Sequence, residues 1–344
     1  MKLAIRMIKT RVLRYILKRV IIYFVTLFVA FSILFFFLRL IPGDPVSRFI
    51  RDIELRYSYR IANTQEIIDI YKEKFGLKGD LWTQYTSYIR RVFLEFDFGP
   101  SFLNFPNSAQ SLIMRRLPWS IWFLGLATLM AWVIGIAAGT FVGWKRGTKI
   151  DSAIFTVALC MSQIPFYLVA LLLVLVFAYV LGTFPPRWAF SPTITPGLSL
   201  EFIGSVLKHA ALPALSLVLV SAFTWLISTR ALTISILGED YLMYAKAKGL
   251  KRLRIVNRYV LRNILLPQVT GLAMSLGFVV NGFFLIEWIF SYPGIGALLV
   301  QAIPVLDYNT IQGIALISIF TVLSANLIID IILPLVDPRI RTGG

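Results

Sequence analysis

The sequence predicts an all-α membrane protein: six transmembrane helices, an extracytoplasmic helical insertion and one short helix on the cytoplasmic side. Three observations carry that prediction. Hydrophobic residues fill 58% of the 344 positions, above the roughly 45–50% of an ordinary soluble domain. Six apolar runs reach the length of about 20 residues needed to cross the hydrocarbon core. Basic residues gather in the short segments on one side of those runs, which fixes an orientation.

The runs cover 20–41, 117–144, 153–181, 207–237, 267–290 and 311–335. The first follows a basic tail, residues 1–19, with seven Lys or Arg and no acid. It has no small-residue cleavage site, so the first span, 20–42, reads as a retained signal anchor. The 145–151 loop adds Lys145, Arg146 and Lys149, the 238–266 loop seven more basic residues, and the tail 337–344 Arg339 and Arg341. These four segments hold nineteen of the 34 basic residues. Short basic segments stay in the cytoplasm, so both termini are expected there, in a multi-pass protein of the inner membrane. The net charge of +17 is then a matter of topology and of anionic lipid or a cytosolic partner, and nucleic-acid binding is not expected.

Residues 43–116 carry eleven basic and nine acidic residues, and a segment of that length crosses the membrane regardless of charge. Asn63 with Glu66 has the spacing of a capping box, Ile67, Tyr71 and Phe75 recur at helical period before Gly76, and a second amphipathic piece spans 82–96. This region is expected to be an extracytoplasmic helical domain, either bracing the first span or docking an external partner. The rest, 117–336, is read as a five-helix core. Within it, Pro185, Pro186, Pro192 and Pro196 mark an irregular outer loop. Residues 291–307 form a half-apolar segment, too short to span, expected to be re-entrant or interfacial.

Much chemistry is missing. No glycine-rich phosphate loop ends in Gly-Lys-Ser or Gly-Lys-Thr, so the chain is not expected to hydrolyse nucleotide. One cysteine, Cys160, allows no internal disulfide, and one histidine, His209, leaves no metal-binding pattern. Buried ionisable residues are few, Arg39, Arg230, Glu287 and Asp330, and each lies toward a span end, which disfavours an ion-driven mechanism. Polar residues at Ser221, Thr224, Asn281, Gly282 and Glu287 are pore candidates. Such residues also serve as helix–helix contacts. Trp188, Trp225 and Trp288 suit stacking on sugar rings or an interfacial belt.

A transporter without an engine needs one from outside, and the 239–266 loop is the place for it. Glu239 and Asp240 sit at the favourable end of a helix dipole, Tyr244, Ala245 and Ala247 follow, Lys246 and Lys248 close the helix, and Gly249 stops it. The small Ala245 and Ala247 leave room for another protein's surface.

The block from Ala245 to Gly249, with Leu266-Pro267 downstream, resembles the loop of ABC-importer permeases named for its Glu-Ala-Ala start. The chain is more narrowly similar to the dipeptide/oligopeptide subfamily. Residues 39–45 (RLIPGDP), 71–77 with 81–85, 116–119, 291–296 (SYPGIG) and 337–339 match in order, from about residue 12 to 341. Met243, Tyr244 and Ala245 stand where the consensus has Glu-Ala-Ala. The resemblance implies a pore formed with a second, homologous permease, two cytosolic ATPases that hold ATP and magnesium, and an extracytoplasmic binding protein. The short helix would then be a coupling helix. Glu239, Asp240, Tyr244, Ala245, Ala247, Lys248 and Gly249 would be its ATPase-facing residues, Gly249 setting the loop's exit, with no cofactor or metal on this chain and no catalytic residue. It implies peptides as cargo, with oligosaccharides the alternative. A stand-alone ion-coupled carrier is a lower alternative.

Overall fold

The structure is a computed structural model that describes residues 2–57, 64–279 and 283–336. Its helices are α1 (Lys2–Arg39), α2 (Pro45–Tyr57), α3 (Thr64–Lys74), α4 (Leu81–Leu94), α5 (Ala109–Trp144), α6 (Lys149–Ser162) and α7 (Phe166–Leu173), which continues as a π-helical turn over Val174–Val180. Then come α8 (Leu200–Leu237), α9 (Asp240–Ala247), α10 (Arg252–Ile255), the π-helical Val256–Val260, α11 (Leu261–Val279), α12 (Phe284–Ile289), α13 (Ile295–Ala302) and α14 (Tyr308–Val336). Among the described residues the only β pairing is an isolated bridge between Pro100 and Ser108.

Among the described residues, four helical stretches are long and apolar enough to cross a membrane: Arg14–Arg39, Ala109–Trp144, Leu200–Leu237 and Tyr308–Ile332. A fifth is a bent pair, Lys149–Ser162 with Phe166–Val180, turning through 91°. The sequence predicts an unbroken run over 153–181. The break has a local cause: Pro165 has no amide hydrogen and disfavours helical geometry at Ile164, so α6 stops and α7 restarts behind the proline. The run expected at 267–290 is divided between α11 and α12, and 280–282 lie outside the described residues. Asn63 of the expected capping box also lies outside them, while the helix it was to start is α3.

The described chain falls into two compact units. One consists of Ser120–Val279 with Leu285–Pro293, and the other holds the remaining described residues.

In the latter unit α1 packs along α14, tied by Tyr23 Oη to Ser324 Oγ at 3.0 Å and by the Arg19–Asp330 ion pair at 3.1 Å. Toward its C-terminal end, Phe31 and Phe35 of α1 pack with Tyr85, Tyr88 and Val92 of α4 and with Ile314 of α14. A second cluster joins Val46 and Ile50 of α2 to Phe75 and Phe102, with Ile67 and Tyr71 of α3 against it, so the predicted helical stripe does face inward. The turn after α1 is set by the sequence. The carboxylate of Asp44 accepts from the amides of Val46 and Ser47, and Pro45 takes the first position of α2, where no amide hydrogen is needed. Asp307 does the same ahead of α14. Its buried carboxylate accepts from the hydroxyls of Ser101 and Thr310 and from the Leu103 and Thr310 amides. Burial pushes its pKa up despite those donors.

In the other unit α8 is the hub. Gly135, Gly139 and Gly143 recur every fourth residue of α5 and face it. A Cβ on Gly139 would stand 2.6 Å from the Leu226 carbonyl oxygen and 2.6 Å from Thr229 Cβ, and one on Gly143 2.6 Å from Thr233 Cβ. The backbones of α5 and α8 are therefore in contact. α11 joins them through Trp132 Nε1, which donates to the Gln268 carbonyl at 3.2 Å.

Gly139→Val should force α5 off α8 and cost about 2–3 kcal/mol, by analogy with overpacked cores. Gly125→Ala, which meets no atom within 4 Å, should be neutral or stabilise by about 1 kcal/mol. Thermal unfolding of the two purified variants in detergent measures the contrast.

Candidate functional site

The segment after α8 is built by a change of helix direction. Gly238 ends α8, Glu239 takes an extended conformation, and α9 begins at Asp240. Asp240 lies in the first turn and Lys246 in the last, the order that complements the helix dipole. Glu239 makes no side-chain cap bond. Gly249 stands at φ +68°, a left-handed conformation that glycine reaches without strain, and it frees the chain to turn toward α10.

Eight residues do not form a stable helix alone. α9 is held by one face. Leu242 and Ala245 are buried with Ile255, Val260 and Ile264, against partly buried Trp144, Leu232, Ile236 and Leu237. Asn263 Nδ2 donates to Tyr241 Oη at 3.1 Å. Burial raises the Tyr241 pKa, and the nearby charge of Glu239 adds to the rise. Arg252 stacks its guanidinium 5.1 Å from the centre of the Trp144 ring.

The opposite face is bare. Glu239, Asp240, Met243, Tyr244, Lys246, Ala247, Lys248 and Gly249 are exposed, Tyr244 by 71% and Met243 by 63%. Ala245, expected to be open to another protein, instead faces inward. Met243 takes its place outside: it lies three residues after Asp240 and four before Ala247, on one stripe with Tyr244. Periodicity within α9 could not have found this, since Met243 and Ala247 are spaced as well as Leu242 and Ala245, and the difference lies in the apolar residues behind the helix.

The base of α8 is locked to α6. Arg230 Nε donates to Asp151 Oδ1 at 2.6 Å and Nη2 to Oδ2 at 3.0 Å, and the guanidinium lies 4.0 Å from the Phe155 ring centre. Asp151 Oδ2 also accepts from the Gly147 amide at 2.9 Å, and Thr148 caps α6. The bidentate pair fixes both planes, as a lysine could not. Asp151 and Arg230 are 79 positions apart, so no local pattern announces them.

The pore candidates are scattered by comparison. Ser221 is half-buried and Thr224 exposed on α8, its hydroxyl 3.5 Å from the Val220 carbonyl. Glu287 is fully buried and accepts from Ser120 Oγ at 2.6 Å, a helix-to-helix bond within the unit. Asn281 and Gly282 lie outside the described residues. Trp188 and Trp288 are each 59% exposed. His209 Nδ1 donates to the Ser205 carbonyl at 2.8 Å, a bond within its own helix. Around it a cavity of about 480 Å³ is lined by Thr183, Ser191, Glu201 and Lys208.

Residues 133–342 match the family described as the binding-protein-dependent transport system inner membrane component. A protein of Brucella suis with a provisional peptide-permease name is 31% identical over 330 residues, covering 96% of this chain and 99% of its own. The glutathione transport system permease protein of Escherichia coli K12 is 30% identical over 329 residues, again 96% of this chain and 99% of its own.

Asp151→Asn leaves Arg230 without its counter-charge in a largely buried place and should destabilise the protein by about 3 kcal/mol, whereas the double change Asp151→Leu with Arg230→Met should cost less. Thermal unfolding of the single and double variants separates the two outcomes.

Proposed function

This chain belongs to the family of inner membrane components of binding-protein-dependent transport systems, and from that membership we infer that it is the permease subunit of an ATP-driven ABC importer of peptides. The relatives named for peptide and glutathione transport span nearly its whole length, and glutathione is itself a small peptide. Oligosaccharides are the alternative cargo.

Six helices cross the membrane, the fifth made of α11 and α12 together, with the termini and α9 in the cytoplasm and 43–116 outside. Residues 291–307 dip into the outer face. The chain forms half of a pore with a homologous subunit. Two cytosolic ATPases bind ATP and magnesium, and an extracytoplasmic protein delivers cargo. The observation that carries this reading is α9: one face pinned to the chain's own helices, the other a bare stripe of Asp240, Met243, Tyr244 and Ala247. A surface like that has a use only when something seats on it.

The mechanism follows from rigidity. Closing of the ATPases on ATP displaces α9. Because Leu242 and Ala245 are packed against Ile236 of α8 and Ile264 of α11, the displacement is carried into those two helices and not absorbed by a loose loop. ATP drives transport only by favouring one orientation of the pore over the other, and the packed underside of α9 is the linkage through which that preference is felt.

Met243→Ala with Tyr244→Ala, both outside the packed face, should leave the fold intact and reduce ATP-dependent uptake by roughly tenfold, the size of a modest coupling energy. Gly249→Asp should do the same by straining the exit of the loop. Uptake and ATPase activity in proteoliposomes containing the complete assembly are the readouts. Full activity in both variants would remove α9 from the coupling path. The chain alone, under a proton or sodium gradient, should transport nothing, and uptake there would favour an ion-coupled carrier.

A further inference from the structure

In the unit containing α1, α4 and α14, buried polar groups converge without partners. Gln84, Tyr88 and Arg91 lie three and four residues apart, on one stripe of α4. Arg39, at the end of α1, meets that stripe: its Nε is 3.4 Å from Gln84 Oε1, and its guanidinium is 4.3 Å from the ring centre of Phe35 and 5.1 Å from that of Tyr308. Tyr88 stacks on the same Phe35, at 5.4 Å, and on Phe31 at 4.9 Å. Arg39 and Arg91 are within Coulombic range of each other, and Tyr88 is within range of both. Arg91 is seated by two glycines. Its guanidinium fills the space where a Gly76 side chain would be, and its Nη1 lies 3.5 Å from where a Cβ on Gly99 would stand. The Asn309 amide nitrogen stands 2.7 Å from that same point.

Gln84 Nε2 donates to the Leu77 and Gly79 carbonyls, but Arg39 and Tyr88 are left short of acceptors. Arg39 Nη1 and Tyr88 Oη are buried without a hydrogen-bond partner, and Tyr88 is only 3% exposed. Fully buried Gln312, on the α14 face shared with Tyr308 and Asn309, has both side-chain polar atoms unpartnered. The neighbouring carboxylates are engaged elsewhere: Asp44 with Lys72, Glu73 with Lys78, Glu95 with Arg90, Asp97 with the Gly99 amide and Asp307 with Ser101 and Thr310. Two half-buried guanidinium groups with no carboxylate between them repel each other and forfeit part of their hydration. The Phe35 and Tyr308 rings offset part of that cost for Arg39, but they leave the hydrogens of Nη1 without an acceptor.

We propose that this place binds a small inorganic anion, of the size of chloride or phosphate, held between Arg39 and Arg91 with the Tyr88 hydroxyl as a third donor. One such ion supplies the acceptor that Arg39 Nη1 and Tyr88 Oη lack, offsets the repulsion and ties the end of α1 to α4. The anion is thus a structural ligand of the 43–116 region, independent of the coupling role of α9.

The test compares thermal unfolding of the full chain in detergent at fixed ionic strength, in sodium gluconate, sodium chloride and sodium phosphate. Chloride or phosphate should raise the midpoint saturably, by roughly 5 °C at about a hundred times the dissociation constant. Arg91→Gln should abolish the rise and Arg91→Lys should keep part of it. Equal midpoints in all three salts would overturn the proposal. So would a rise produced only by phosphatidylglycerol added to phosphatidylcholine micelles, which would make the ligand a lipid headgroup. A crystal of the unaltered chain grown in bromide gives an answer that needs no variant: an anomalous peak within contact distance of Arg39 and Arg91 is expected, and its absence at saturating bromide counts against the site.

Discussion

The contact between the backbones of α5 and α8 is the constraint on which the rest of the second unit depends. Hydrocarbon tails are as apolar as leucine, so helices in a bilayer gain little by burying leucine against each other and associate through close packing and polar contacts instead. Gly135, Gly139 and Gly143 let α8 come near enough for its Leu226 carbonyl and Thr229 and Thr233 side chains to rest on bare α5 backbone. With α8 placed, its other faces become usable. Arg230 reaches Asp151 of α6, and Ser228 accepts from Gln268 Nε2 of α11 at 3.4 Å. Ile236, near the end of α8, lies against the underside of α9.

What the sequence makes legible follows from the range of each signal. Long apolar runs are local, so α1, α5, α8 and α14 stand out. The charge order and the glycine stop of α9 are local as well, and the helix is where they put it, with Gly249 left-handed. The division of the 153–181 run was also written locally, in Pro165, but an apolar average over 20 residues hides one proline. The direction of Ala245 is a different case. Its size suggests a surface open to a partner, yet alanine is as good at letting the chain's own helices close in, and only Ile255, Val260 and Ile264 behind it decide between the two. The Asp151–Arg230 pair and the Ser120–Glu287 bond are long-range, and a single sequence carries no mark of which acid meets which base or hydroxyl.

The unit around α1 shows how a short motif can bind several physical tasks. In residues 39–45, Arg39 stacks on Phe35 and Tyr308. Asp44 caps α2, and its carboxylate also meets Lys72 of α3 at 2.9 Å. Burial alone would raise the Asp44 pKa, but the bonds from Lys72 and Ser47 together outweigh it and hold the carboxyl below its usual value. Seven residues thus end one helix, start the next and fasten a third, which is reason enough for the motif to read as a unit without any part in cargo recognition.

The same economy bears on α9. A helix of eight residues has too few internal hydrogen bonds to hold its shape under load, so its stiffness must come from what it packs on. Its underside is made of residues from α8, from the π-helical turn and from α11, and a force applied to Met243 or Tyr244 is shared among all three through Leu242 and Ala245. At the other end of that path α8 cannot slide past α6 without breaking a bidentate ion pair that is largely sheltered from water, nor past α5 without driving the Thr229 and Thr233 side chains into glycine backbone. Small shifts at α9 are therefore resisted until the helices move as a body, as the proposed coupling role requires.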